Sequence, residues 1–341
     1  MPGEPAIDHV TVNGRTYAVP QSPVVVVCLD GCDPEYLAAG FAANELPVFA
    51  RIARDGFASE SLSALPSFTN PNNCSLVTGV PPSVHGVSGN FYLDRHSGET
   101  VMVTGDKELQ APTILAAMAQ TGVPTAVVTA KDKLRAALAK GLPIGANGIA
   151  FSAQNAAAAR EQTHGIGNVT RLVGRGEPDQ YSADLSLFVL DAGVRLLETG
   201  RARLLYLSLS DYVQHRYAPQ EPEARDFLRA VDARLGRMMD LGAIVAATAD
   251  HGMHDMAKPD GTPNVMFVGD VLDAAFGPGS CRVICPITDP FVRHHGALGG
   301  LVRVYVAAGG PAIRAVTAHL ADLPGIDQAL EGSEACRRYD L

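Results

Sequence analysis

The chain has 341 residues, 47% of them apolar, 18% charged, with a net charge of −9. That apolar content suits a folded globular protein with a large core and excludes a disordered chain. The acidic balance argues against a nucleic-acid partner, because phosphate contacts need Lys and Arg. A small anion can still be handled if a bound cation or a local Lys pair reverses the field.

In chain order, the N-terminal MPGEPAIDHV has neither a basic nor an apolar targeting region, so no signal peptide is expected. Apolar, β-branched runs follow at 24–29, 125–129, 204–209, 244–248 and 301–306. Runs that are apolar on both faces suit buried strands of a parallel sheet. VVVVCL, the longest aliphatic stretch, is too short to span a bilayer, so no membrane partner is expected. Between the strand-like runs lie helical stripes. Residues 181–200 align Leu185, Phe188, Val189, Ala192, Leu196 and Leu197, and residues 222–241 align Phe227, Leu228, Val231, Leu235 and Met238. This alternation predicts a doubly wound α/β fold, mostly parallel, with helices on both faces. Residues 1–341 are read as a single domain. The Gly-, Asn- and Ala-rich segment 141–180 and the Gly-, Pro- and His-rich segment 254–300 are expected to be small cap insertions. Cys28, Cys32, Cys74, Cys281, Cys285 and Cys336 form no CxxC pair, which predicts reduced thiols and a cytoplasmic location.

Three strand-like runs end in aspartate: VVVVCLD at Asp30, LLYLSLSD at Asp211 and AIVAATAD at Asp250. Ligands of open parallel sheets bind at the carboxyl ends of the strands, so the three carboxylates would converge and call for cations. His215 lies four residues after Asp211, on one face of a helical turn, and His251 follows Asp250 directly. Mixed Asp and His donors suit zinc and other divalent first-row metals. Each Asp alone could equally cap a helix.

The segment LPSFTNPNN places Thr69 before Asn70-Pro71, at the start of a helix expected to run through Val77. Thr69 is therefore either a helix N-cap or a nucleophile held at the positive end of that helix.

LPSFTNPNN, the following TG-x-P-P-S-x-H-G, the early LDG and the late DHGM together resemble nucleotide pyrophosphatases and phosphodiesterases of the alkaline phosphatase superfamily. SGNFY at 88–92, TAKDKL at 129–134 and CPITDPFVRHHGALGG at 285–300 look like the phosphonoacetate hydrolase subfamily. The resemblance implies an alkaline phosphatase-like fold, two Zn²⁺ ions and a small-molecule phosphonate substrate. It implies that Asp30, Thr69, Asp250 and His251 hold one metal, that Asp211 and His215 hold the other with a third histidine, and that Thr69 is the nucleophile. Asn90 would donate to a phosphoryl oxygen, and Lys131 and Lys133 would bind the substrate carboxylate. His85, in the HG motif, is expected to be structural.

After Leu301 no segment matches the HGG context in which the family carries its third histidine. The C-terminal part of the family domain is therefore expected to be missing, with His294 and His295 as candidate substitutes. Three functions stay open: hydrolysis of the C–P bond of phosphonoacetate, phosphodiester or pyrophosphate hydrolysis on the same scaffold, and a non-catalytic metal-binding remnant. The sequence does not decide between a monomer and a homodimer.

Overall fold

The computed structural model describes residues 8–288 and 299–341. Its central sheet has five strands: β1 (Val24–Cys28), β2 (Thr125–Thr129), β3 (Gly148–Ser152), β4 (Leu204–Ser208) and β5 (Ile244–Thr248). Their order in space is β3-β2-β4-β1-β5, and all pairs are parallel.

Successive strand residues point to opposite faces, and here both faces are covered. On one side Val25, Val27, Val128, Phe151, Leu205 and Leu207 pack under the helices Asp184–Glu198 and Pro222–Asp240, chiefly against Phe188, Val189, Phe227 and Val231. On the other side Cys28, Val127, Ala150 and Tyr206 meet Val77, Met118, Leu134 and Leu138. Those four come from the helices Thr69–Thr78, Ile114–Gln120 and Asp132–Leu138. Truncating a wholly buried residue such as Leu205 to Ala costs about 2–5 kcal/mol in sites of this kind. The doubly wound architecture expected from the alternating pattern is the one observed.

Two features depart from the sequence reading. Gly148–Ser152, inside the segment expected to be a cap, is β3, the strand at one edge of the central sheet. Its apolar core is only Ile149, Ala150 and Phe151, flanked by Gly and Asn, too short to stand out as a strand. The run 301–306 does not join the parallel sheet. Arg303–Val306 pairs antiparallel with Cys281–Ile284 in a separate two-stranded sheet. Arg303 and Tyr305 alternate with Val302, Val304 and Val306, so only one face is apolar. That face packs against Val268, Leu272, Val316 and Leu320.

The register of the sheet sets up the site. Ser152, Thr129, Ser208, Cys28 and Thr248 lie in one row across all five strands. The residues just past this row, Lys131, Asp211, Asp30 and Asp250, therefore emerge side by side on one edge.

Candidate active site

Asp30, Asp211 and Asp250 are all buried, at 1%, 4% and 1% exposure. Donor atoms of Asp30, Asp211 and His251 lie within 4.8 Å of one another. Asp30 Oδ1 is 3.2 Å from His251 Nε2, and Asp250 Oδ2 is 3.9 Å from the same nitrogen. Three carboxylates taken out of water together repel one another. Burial, and then the charge of Asp30, push the Asp250 carboxyl well above the usual carboxylate range. Burial works against the protonated form of His251, yet the Asp250 and Asp30 carboxylates overcome it and raise the imidazole to about 10.

The donor chemistry fits divalent cations. The cluster is rich in carboxylates and short of positive charge. His251 Nδ1 faces the Gly252 carbonyl at 2.9 Å, so Nδ1 carries a proton and donates it there. That leaves Nε2 directed into the cluster, the arrangement expected of a metal-binding imidazole. Asp211 carries a second histidine: its Oδ2 is 3.0 Å from His215 Nε2. The intervening turn is closed by the His215 N–H donating to the Asp211 carbonyl at 3.0 Å. Tyr36 braces the same turn, donating to the carbonyls of Gln214 and Tyr217.

Thr69 is the first residue of its helix, and Phe68 occupies the N-cap position. The Thr69 hydroxyl caps nothing. It turns outward, 3.4 Å from Asp30 Oδ1 and 3.3 Å from His251 Nε2. The N-cap alternative is thereby overturned. Asn72 holds the preceding loop by accepting from the Ala64 N–H and donating to the carbonyls of Ala64, Pro66 and Phe68.

Of the remaining expected residues, Lys131 reaches the cluster directly, while Asn90 and Lys133 line the large open groove in front of it. Asp30, Thr69 and Asp211 line the same groove. Lys131 Nζ lies 2.9 Å from Asp211 Oδ1. Lys133 sits in the first turn of the following helix, whereas Asp132 between them turns away to Arg135 and Ser152. The Asn90 backbone is fixed by donating to the Pro286 carbonyl and accepting from the Val103 N–H. Its amide oxygen is buried with no hydrogen-bond partner among the described residues. His85 stands outside the cluster, buried against Ser75 and the Val87 N–H. His294 and His295 lie outside the described residues.

Sequence reasoning missed Asn73 and Tyr206. Asn73 lies one helical turn after Thr69, on the same face, and that spacing could have marked it. Tyr206 carried no such signal, since a Tyr inside an apolar strand reads as core.

The profile of the type I phosphodiesterase/nucleotide pyrophosphatase family matches residues 24–276. Phosphonoacetate hydrolase from Sinorhizobium meliloti 1021 in complex with phosphonoformate is 47% identical, with a TM-score of 0.93. The alignment covers 98% of this chain and 81% of that one. The same enzyme in complex with phosphonoacetate is 46% identical, with the same TM-score and coverage. An uncharacterized pyrophosphatase/phosphodiesterase of Schizosaccharomyces pombe is 37% identical over 79 residues, 23% of this chain. This chain spans only 16% of that relative's length.

Proposed function

This chain belongs to the type I phosphodiesterase/nucleotide pyrophosphatase family of the alkaline phosphatase superfamily and groups with phosphonoacetate hydrolase, and from that premise we propose that it hydrolyses the C–P bond of phosphonoacetate to acetate and phosphate. The observation that carries this reading is the convergence of Asp30, Asp211 and His251, with Thr69 and Asp250 beside His251, His215 on Asp211 and Lys131 on the same sheet edge.

We assign Asp30, Thr69, Asp250 and His251 to one divalent cation and Asp211 and His215 to a second, zinc in both cases by the mix of carboxylate and imidazole donors. When bound, the two cations supply Lewis acidity to the phosphoryl oxygens and favour the deprotonated form of a neighbouring hydroxyl. Thr69 Oγ1 attacks phosphorus. The C–P bond breaks, and its electron pair leaves on the methylene carbon, which takes up a proton to become acetate. Water then hydrolyses the phosphothreonine and frees Thr69. Lys131 and Lys133 hold the substrate carboxylate, into which the leaving carbanion delocalises, so their contacts strengthen as the bond breaks. Asn90 donates to a phosphoryl oxygen from a rigid backbone.

The described part of the segment 254–300, which excludes 289–298, is assigned to a cap over this edge in the same reading. Among the described residues no disulfide is formed, and we read the protein as cytoplasmic. Among the described residues no helix is long and apolar enough to cross a membrane.

The deciding experiment is a metal count with a turnover assay. The zinc-loaded chain is expected to release phosphate from phosphonoacetate with about two zinc ions bound. Hydrolysis of a nitrophenyl phosphodiester but not of phosphonoacetate would establish the phosphodiesterase reading instead. Zinc binding without turnover on either would leave a metal-binding remnant.

A further inference from the structure

A directional chain of hydrogen bonds runs into the site from the core of the sheet. The Tyr206 hydroxyl, on β4, donates to Asn73 Oδ1 at 2.9 Å. Asn73 Nδ2 donates to Asp250 Oδ2 at 2.9 Å and to the Thr69 carbonyl at 3.1 Å. All three side chains are buried. The direction is forced from both ends. A carboxylate that holds a cation is ionised and only accepts, so with the metal assigned above Asn73 turns its NH₂ towards Asp250, and its oxygen then faces Tyr206, which donates. Burial pushes the Tyr206 hydroxyl well above its usual range, so it keeps the proton it donates.

The opposite oxygen of Asp250 is also engaged. Oδ1 accepts from the Gly31 N–H at 3.3 Å and the His251 N–H at 3.1 Å. A carboxylate has about four acceptor positions. Two backbone donors occupy Oδ1 and one Asn73 proton occupies part of Oδ2, so the open position is on Oδ2, the oxygen on the His251 side. The second Asn73 proton ties the first turn of the Thr69 helix to the same carboxylate.

We propose that Tyr206 and Asn73 are positioning residues: together they set which oxygen of Asp250 is offered to a cation and hold the Thr69 turn in register with it. The inference rests on the metal assignment above. Neither residue touches the reacting atoms.

The test is zinc affinity of the full chain, read by competition with a chromophoric chelator. Tyr206→Phe removes one hydroxyl, which no assigned ligand contacts. It is expected to weaken one of the two zinc equivalents by roughly 10–100-fold, leave the other unchanged, and lower kcat for phosphonoacetate at unchanged KM. Asn73→Ser, whose shorter side chain cannot span Asp250 and the Thr69 carbonyl together, should show the same selective loss and serves if the Phe variant does not fold. Thr78→Val is the control. It removes a buried hydroxyl from the same helix, one that donates to the Cys74 carbonyl, and should leave zinc affinity as it was. Zinc affinity in Tyr206→Phe equal to that of the parent would overturn the inference, as would an equal loss in Thr78→Val. A parent chain that binds no zinc would instead overturn the metal assignment itself.

Discussion

Lys131 Nζ lies 2.9 Å from Asp211 Oδ1, while the other oxygen of the same carboxylate lies 3.0 Å from His215 Nε2. The ammonium proposed to grip the substrate thus stands directly beside a carboxylate proposed to hold a metal. Both side chains are largely buried, so their attraction is screened far less than that of a surface pair.

That contact sharpens the substrate test. Replacing Lys131 and Lys133 together by Ala removes two charge-assisted hydrogen bonds, each worth about 1.5–3 kcal/mol. The kcat/KM for phosphonoacetate should fall on the order of 10²–10⁴-fold, with KM raised and kcat lowered. A nitrophenyl phosphate ester, which has no carboxylate, should lose much less. Equal losses on both substrates would mean that Lys131 acts through Asp211 and not on the substrate.

Thr69→Ala removes the attacking oxygen but only one of four proposed donors to its cation. Turnover should drop by at least about 10³-fold with the fold and most of the zinc retained. Circular dichroism and a metal count on the same sample check both halves. Near-normal turnover would remove Thr69 from the chemistry.

Removing metal should destabilise the chain as well as silence it, because Asp30, Asp211 and Asp250 are then balanced only by Lys131 and the two histidines. Adding zinc back at about 100 times its dissociation constant should stabilise the fold by about 2.7 kcal/mol. A melting temperature that rises with zinc concentration in the parent, and not in Asp30→Ala, is the expected record.

His85 gives a pH signature independent of the metals. Its Nδ1 accepts from the Val87 N–H, so Nε2 carries the proton and donates to Ser75 Oγ. Burial pulls the imidazole down to about 4 from an ordinary value of 6.5. Because the folded-state value is the lower one, the unfolded chain binds the proton first. The stabilisation is complete above about 6.5, falls as the pH drops, and is gone below about 4. His85→Gln should lack this component when denaturant unfolding is followed across that range. Because the raised Asp250 carboxyl titrates with the opposite sign over the same window, the difference between parent and variant is the readout, and identical pH dependence in the two from about 6.5 to about 4 would contradict it.

β5 makes a further expectation. Among the described residues it pairs on one side only, and Ile244 on it is 63% exposed. An open apolar strand edge invites pairing with another chain. Ile244→Lys should reduce concentration-dependent association in light scattering while changing stability by no more than about 0.5 kcal/mol.

Much of this site is local in origin, and that part was legible in the sequence. A strand apolar on both faces announces its own burial, and an aspartate just past its end announces a sheet edge. Asp30, Asp211 and Asp250 could therefore be placed before any coordinates. The motif around Thr69 reads equally well as a cap, and only the position of Phe68 at the N-cap, with Asp30 and His251 beyond the hydroxyl, separates the two. Strand order is likewise not written locally, because β1 is flanked by β4 and β5, each far away in the chain. Gly148–Ser152 became an edge strand because β2 offered it a backbone ladder, although its own apolar run is short. Arg303–Val306 left the sheet because only one of its faces is apolar. The chain from Tyr206 through Asn73 to Asp250 joins residues more than 100 positions apart. A hydrogen bond depends on distance and direction in space, and for such pairs only the tertiary fold decides both.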